Sequence, residues 1–460
     1  MTMPMPPSET SLSSLDQAYF SSYADLAIHA SMLSDVSRTE AYRRAFTRAG
    51  ELGLFAGKAV LEVGAGLGVL GIFAAREGGA RHVYLVEASD IVHQLRKVIA
   101  AQPASIAERI TIIHSRVEDA ILPEKVDVIV SEWMGYGLLY ESMLDSVLVA
   151  RDNWLKEDGV LMPSRATISA ALLGDGDLAM ELVYDPDACL YADPSDPGQG
   201  RSLGDSQAMA DPLTCLELLQ ESASALSNLN PAIRSQRVEL WLALRRQADN
   251  HARDLWRQIG QQYDVDLAPV VAPVSRSGGD LQPAGLLAIG AAADFAARAV
   301  PFEASVATIQ PPRVMTTPSV IWELDIAKAS RSDLLDISCS MEQKVIHLDV
   351  PRAVGLWFDV HFDLPAAGPA ITLSTSPFEE TTHWMQTILP VAGSLHSPAA
   401  DRAHGPLVPD AQVSFALRLH RPHSGSRFLL LDVEGLGPAD NPGRTYCYKM
   451  SCGPDFDMTA

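Results

Sequence analysis

The sequence predicts an α/β fold: a doubly wound parallel sheet over residues 16–164, then a mostly β second half with helical insertions. Three observations carry that expectation. Short runs of Val, Ile and Leu alternate with stretches of helical period between Lys58 and Leu155, the pattern of parallel strands joined by crossover helices. A glycine-rich turn, Gly64-Ala65-Gly66-Leu67-Gly68, links the first strand to the first crossover helix. Past Pro163 the helical period lapses and strand-like runs take over.

The elements follow in order. Residues 1–15 read as a flexible tail, without the cationic region and apolar core of a secretory signal. Asp16 to Ala49 has helical spacing and is expected to form two helices. KAVLEV (Lys58 to Val63) is a strand, Val69 to Ala75 a helix, and HVYLVE (His82 to Glu87) a second strand. Ile91 to Ala101 is a helix, Ile110 to Ile113 and Val126 to Val130 are strands, and Met143 to Leu155 is a helix stopped by Glu157-Asp158-Gly159. In the second half the strands are SVIWELDI (Ser319 to Ile326), VGLWFDVHFDL (Val354 to Leu364), VSFALRLH (Val413 to His420) and RFLLLDVEGL (Arg427 to Leu436). Two segments, about 193–250 and 272–300, look like insertions rich in Pro, Gly, Ser and Ala.

A chain of 460 residues has room for two or three domains. Its 57 acidic against 35 basic residues give a formal charge of −22, which disfavours binding along a nucleic-acid backbone and favours basic partners, though solubility alone also accounts for it. Five scattered cysteines point to a reducing, intracellular compartment, cytoplasmic and/or nuclear, without a disulfide framework. The longest apolar run, 284–300, is interrupted by Asp294 and Arg298 and is expected to be a buried helix, not a membrane span.

Strand, GAGLG and helix together form a cofactor-cradling turn, because glycines let the backbone approach a ligand and the helix N-terminus offers free N–H groups. Glu87 ends the next strand, where an acid can accept from both hydroxyls of a ribose. The spacing is GxGxG, and Glu62 nearby would repel a pyrophosphate. The loop alone therefore places S-adenosylmethionine ahead of NAD, with a plain tight turn as the third reading.

The stretch SEWMGYGLLYES, Ser131 to Ser142, sets Glu132 and Glu141 among Trp133, Met134, Tyr136, Leu138, Leu139 and Tyr140. Buried carboxylates are costly unless a cation or a hydrogen-bond donor satisfies them. A solvated loop is the alternative, and the apolar setting argues against it.

Taken together, four segments resemble the protein arginine N-methyltransferases of type I. VLEVGAGLGVLGIFAAREGGARHVYLVEAS resembles the family's nucleotide-binding motifs, and SEWMGYGLLYESML its double-E loop. STSPFEETTHWMQT resembles its THW loop, and YFSSYADLAIHASMLSDVSRTEAYR its N-terminal cofactor-covering helices. The resemblance implies a Rossmann-like, S-adenosylmethionine-dependent methyltransferase domain followed by a β-barrel. It also implies a helical arm, faintly visible at about 251–268, that docks on a partner's cofactor domain and makes a homodimer. Substrates would be arginines in Arg/Gly-rich or histone-like tails, with asymmetric dimethylarginine as product and neither nucleic acid nor membrane as partner.

Residue by residue, the resemblance implies that Glu132 and Glu141 grip the substrate guanidinium, a planar cation suited to bidentate carboxylate pairing. Gly64 and Gly66 would pass under the cofactor, Glu87 bind its ribose hydroxyls and Glu118 contact its adenine amino group. Arg38 would pair with the cofactor's carboxylate, with His29 beside it, and Met32 and Met143 would line the reacting centre. Tyr19 and Tyr23 would cover the site, with Trp384 contributing to the substrate side. His383 and Asp35 would relay the released proton or pin the N-terminal helices to the barrel. Leu67 departs from the family's usual Thr or Ser. Two competing readings remain: a catalytically weak methyltransferase-like scaffold acting through its insertions, and an NAD-dependent oxidoreductase resting on the glycine loop alone.

Overall fold

The structure is a computed structural model that describes residues 14–174, 253–271, 302–364, 370–391, 407–423, 425–436 and 445–450. Both expected insertions and the apolar run 284–300 lie outside the described residues.

Three N-terminal helices stand where two were expected: α1 (Ser14–Ser22), α2 (Leu26–Ser34) and α3 (Val36–Glu51). The helical period runs on through two breaks that aspartates create. The Asp25 side chain accepts from the Ala27 N–H and starts α2. Asp35 ends α2 and, by accepting from the Arg38 N–H, starts α3. Helix α1 begins inside the stretch expected to be tail.

Next comes a five-stranded parallel sheet in the order β3-β2-β1-β4-β5, made of β1 (Ala59–Val63), β2 (His82–Glu87), β3 (Ile110–His114), β4 (Val126–Ser131) and β5 (Leu155–Met162). β1 and β4 are buried along their whole length, as continuous apolar runs in a covered parallel sheet should be. Helices α4 (Val69–Arg76), α5 (Val92–Ala101), α6 (Ala104–Ala107) and α7 (Met143–Trp154) connect the strands. Sequence reasoning missed β5. The Glu157-Asp158-Gly159 expected as a helix stop lies within that edge strand, beside a register shift opposite Val126 and Val128. An exposed edge tolerates the charges that a central strand would not.

The second half forms two mainly antiparallel sheets in a barrel-like pair. One runs β10 (Asp336–Lys344), β14 (Gln412–His420), β15 (Leu429–Glu434), β16 (Thr445–Met450), β7 (Phe302–Glu303), and the other β8 (Ser305–Ala307), β13 (Gln386–Pro390), β11 (Ala353–Phe362), β6 (Arg165–Leu173), β9 (Ser319–Asp325), with β12 (Ile371–Ser374) against β11. The four strands expected there are observed as β9, β11, β14 and β15. The core is continuous across both halves: the Tyr42 ring on α3 meets Phe362 of β11 edge-on at 4.9 Å.

The helix at 253–263, here α8, falls where the arm was expected. It lies on this chain's own parallel-sheet domain, not away from it. The Tyr263 ring meets Phe73 of α4 at 6.1 Å, and Arg76 donates to the carbonyls of Tyr263 (2.8 Å) and Asp264. Gln102 donates to the Asp266 carbonyl at 3.1 Å, and Trp256, Ile259 and Leu267 are buried beneath. Fully burying such side chains is worth a few kcal/mol each, enough to seat the segment. Tyr263→Ala should therefore loosen α8, at a cost of about 3 kcal/mol. Amide exchange over 253–263 should quicken at least about tenfold while that of β1 and β4 holds; unchanged exchange in α8 would contradict this docking.

Candidate active site

The C-terminal ends of β1, β2 and β4 open into a cleft of about 440 Å³, at the place where strand order reverses between β1 and β4. Its floor is the glycine turn. Gly64 and Gly66 have φ of +73° and +54°, and a Cβ on them would lie 2.3 Å from Met143 Cε and 3.0 Å from His29 Cε1. Both positions favour glycine for their left-handed conformation. Glu87, at the end of β2, accepts from the backbone N–H of Gly66 (2.8 Å) and of Ser89 (2.7 Å), which aims its carboxylate across the turn.

Around this cradle the polar groups have defined states. Burial lowers the pKa of His29, leaving a neutral ring. Its Nε2 donates to the Tyr23 carbonyl at 2.9 Å, so Nδ1, beside Gly66, is an acceptor. Burial pushes Glu62 well above the usual carboxylate range, against a bond from the Gly71 N–H that lowers it. Glu118 takes the Ser146 hydroxyl at 2.6 Å and pairs with Arg116 at 3.4 Å. The arginines lining the cleft are Arg38, Arg116 and Arg427, and each is bonded to a carboxylate. The cradle therefore suits a nucleoside that carries no phosphate, and Leu67 lines it as a buried apolar side chain.

The stretch after β4 folds as a strained loop. Leu138, Glu141 and Ser142 have φ of +72°, +73° and +62°. Each such non-glycine residue costs about 1 kcal/mol or more and persists because its surroundings over-determine it. Gly135 and Leu138 exchange backbone bonds, and the Trp384 indole N–H donates to the Met134 carbonyl at 2.9 Å. The loop presents two carboxylates. Glu132 Oε2 receives Arg38 Nη2 at 2.8 Å and Nε at 3.2 Å, in a pair whose side chains are 10% and 7% exposed. Glu141 Oε2 receives the Tyr23 hydroxyl at 2.6 Å. Burial raises the Glu141 pKa; the Tyr23 bond lowers it, Glu132 raises it again, and Arg427 lowers it.

From the barrel side, His383 meets Asp35. The His383 backbone N–H donates to Asp35 Oδ2 at 2.8 Å, and its ring Nδ1 lies 2.7 Å from the same oxygen. Burial works against the Asp35 anion, but these bonds and the Arg38 N–H outweigh it and lower its pKa.

Every expected site residue except Asp35 lines this one cleft, and Asp35 sits directly behind His383. Two pairings at the site were not visible in the sequence. Arg38 commits its guanidinium to Glu132, so that carboxylate does not stand alone facing a substrate. Trp384 is 4% exposed with its N–H committed, so it anchors the loop instead of offering a polar contact. Arg427 and Asp16 were missed: each is an ordinary charge at the edge of an apolar run, and tertiary contacts alone make them notable.

Comparison with known proteins agrees with this geometry. Residues 239–402 match the family described as "Arginine methyltransferase oligomerization subdomain", and residues 43–150 match "Lysine methyltransferase". The protein arginine N-methyltransferase 6 of Danio rerio is 32% identical over 375 residues, covering 81% of this chain and 79% of that protein. The probable protein arginine N-methyltransferase 6 of Arabidopsis thaliana is 30% identical over 406 residues, covering 81% and 70%. The solved Arabidopsis thaliana protein arginine methyltransferase 10 superposes with a TM-score of 0.57 at 26% identity, covering 94% of this chain and 99% of that one. The Trypanosoma brucei PRMT1 enzyme-prozyme complex with AdoHcy shares the fold, with a TM-score of 0.59 at 23% identity over 94% and 100% of the two chains. The chain belongs to the protein arginine N-methyltransferase family.

The depressed Asp35 pKa makes a stability prediction. Its contribution is present above the unfolded carboxyl value near 4 and is lost as pH falls through the lower folded value. Asp35→Asn should lower the free energy of unfolding at pH 7 by about 1–3 kcal/mol, and the gap from wild type should close below about pH 4. A gap independent of pH would contradict an ionised Asp35 as the anchor of the THW loop.

Proposed function

We propose that the chain, as a member of the protein arginine N-methyltransferase family, moves methyl groups from S-adenosylmethionine to arginine side chains of proteins. The products would be monomethylarginine and then asymmetric dimethylarginine. The observation that carries this reading is the placing of Glu132 and Glu141 in one cleft with the Gly64–Gly66 cradle.

When bound, S-adenosylmethionine supplies an electrophilic methyl group on a sulfonium. The residues present fit it: Gly64 and Gly66 give the backbone cradle, Glu87 the ribose acceptors, and Glu118 an acceptor for an adenine amino group. Arg38, with the neutral His29 beside it, would serve the carboxylate end only by sharing with it the guanidinium that it now gives to Glu132 and to the Met32 carbonyl.

A substrate guanidinium entering the cleft meets Glu132 and Glu141. Bidentate pairing fixes its plane and draws its positive charge toward the carboxylates, leaving a terminal nitrogen richer in electrons and aimed at the cradle. Arg38 keeps Glu132 in place, and the Tyr23 hydroxyl keeps Glu141 in place. Arginine deprotonates above about pH 12, so proton loss accompanies or follows methyl transfer. Glu141, made more basic by burial, would be an acceptor for that proton. The doubled bond from His383 to Asp35 supports the pinning role over a relay. Met32 and Met143 wall the cradle beside the reacting centre, which supports the type I product.

The formal charge of −22 favours Arg/Gly-rich or histone-like tails as substrates, in the cytoplasm and/or the nucleus. The face that seats α8 would join two copies as a homodimer if the two chains exchanged that segment.

The test is incubation with S-adenosylmethionine and an Arg/Gly-rich peptide, read by mass spectrometry. Asymmetric dimethylarginine is expected. Glu141→Gln should cut turnover by about 100-fold or more and leave cofactor affinity unchanged. Cofactor binding without any methylated arginine would favour the scaffold reading, and wild-type turnover in Glu141→Gln would remove the mechanism.

A further inference from the structure

One cation of the cleft comes from the barrel, and its contacts reach two elements that the reaction needs together. Arg427 lies on the turn before β15. Its carbonyl accepts from the Glu141 N–H at 2.9 Å, while its Nη1 donates to the Glu141 carbonyl at 2.7 Å. Next to it, the Ser426 carbonyl accepts from the Ser142 hydroxyl at 2.5 Å. These bonds fall on the two adjacent residues, Glu141 and Ser142, that hold left-handed φ. The opposite edge of the same guanidinium reaches helix α1. Its Nε and Nη2 donate to Asp16 Oδ1 at 3.1 and 2.7 Å, and its face lies 3.8 Å from the centre of the Tyr19 ring and 5.6 Å from that of Phe20. The loop of contacts closes on itself: the Tyr19 ring packs on Tyr23 at 4.9 Å, and the Tyr23 hydroxyl donates to Glu141.

We infer that Arg427 is a positioning residue, a latch that fastens the lid helix α1 to the double-glutamate loop so that closing the lid and presenting Glu141 are one event. The catalytic part of this inference rests on the arginine-methyltransferase reading; the latch itself does not. Two edges and a face of one planar guanidinium are used at once, which a lysine's compact ammonium cannot reproduce. The groups facing the Glu141 carboxyl are Tyr23, Tyr19, Glu132 and Arg427, and Arg38 is committed to Glu132. Arg427 is the cation in that set that opposes burial and the repulsion from Glu132. Glu141 works as an anion, so activity falls as pH drops through its raised pKa; removing Arg427 raises that pKa further and moves the acid limb to higher pH.

The test uses the full chain and its Arg427→Gln, Arg427→Lys and Asp16→Asn variants. Hydrogen exchange over Ser14–Ser22 is measured without ligands, and kcat and KM for an Arg/Gly-rich peptide are followed against pH. Arg427→Gln should speed exchange of α1 at least about tenfold and move the acid limb up by about half a pH unit or more. Arg427→Lys should free α1 yet hold the limb near wild type, since the charge stays. Asp16→Asn should free α1 without raising the limb. Unchanged α1 exchange in Asp16→Asn or Arg427→Gln would overturn the latch. Lost activity in Arg427→Gln with an unmoved acid limb would overturn its action on Glu141. If the wild-type chain methylates no arginine, the enzymatic reading fails, and the exchange data still decide the latch.

Discussion

Two half-buried carboxylates, nine positions apart on one loop and facing one cleft, are the constraint that organises this protein. A buried anion is tolerated only with a cation or strong donors beside it. Glu132 meets that demand with Arg38, and Glu141 with the Tyr23 hydroxyl and the nearby charge of Arg427. Glu132 has a cation of its own in Arg38, whereas the Arg427 near Glu141 is also bonded to Asp16. In the proposed function an entering guanidinium would add a second cation between the two carboxylates.

The supports come from separate pieces of chain. Arg38 stands on α3, Tyr23 lies between α1 and α2, the carboxylates follow β4, and Arg427, Trp384 and His383 belong to the barrel. The site therefore exists only when the helices, the parallel sheet and the barrel are docked. Asp35 shows the economy of this: one side chain caps α3 and binds the THW loop at two points. The strained backbone at Leu138, Glu141 and Ser142 belongs to the same logic, since the contacts that dock the domains also hold those angles.

Much of this was legible in the sequence, for physical reasons. Parallel strands buried on both faces must be continuous apolar runs, so β1, β2 and β4 were readable to within a residue or so, and the half-exposed edge strand β3 was readable from its β-branched run Ile110-Thr111-Ile112-Ile113. An edge strand is not held to that rule, and β5 was lost behind its acids and glycine. One of the two breaks among the N-terminal helices was lost; at Asp35 a single aspartate ends α2 and starts α3, so no intervening loop marks the join. Motif resemblance located the cleft residues but could not show their pairings. Arg38 turns to Glu132, Trp384 spends its N–H on Met134, and Arg427 gains its importance from partners at residues 16 and 141. Long-range pairings of that kind leave no local pattern to read.

The most direct measurement of the central claim is the affinity of the cofactor-loaded protein for an Arg/Gly-rich peptide against the same peptide with citrulline in place of arginine. Citrulline keeps the shape and removes the charge. If the two carboxylates await a guanidinium, the arginine peptide should bind at least about 30-fold more tightly, roughly 2 kcal/mol, and Glu141→Gln should erase most of that preference. Equal affinities for the two peptides in the wild-type protein would contradict the account.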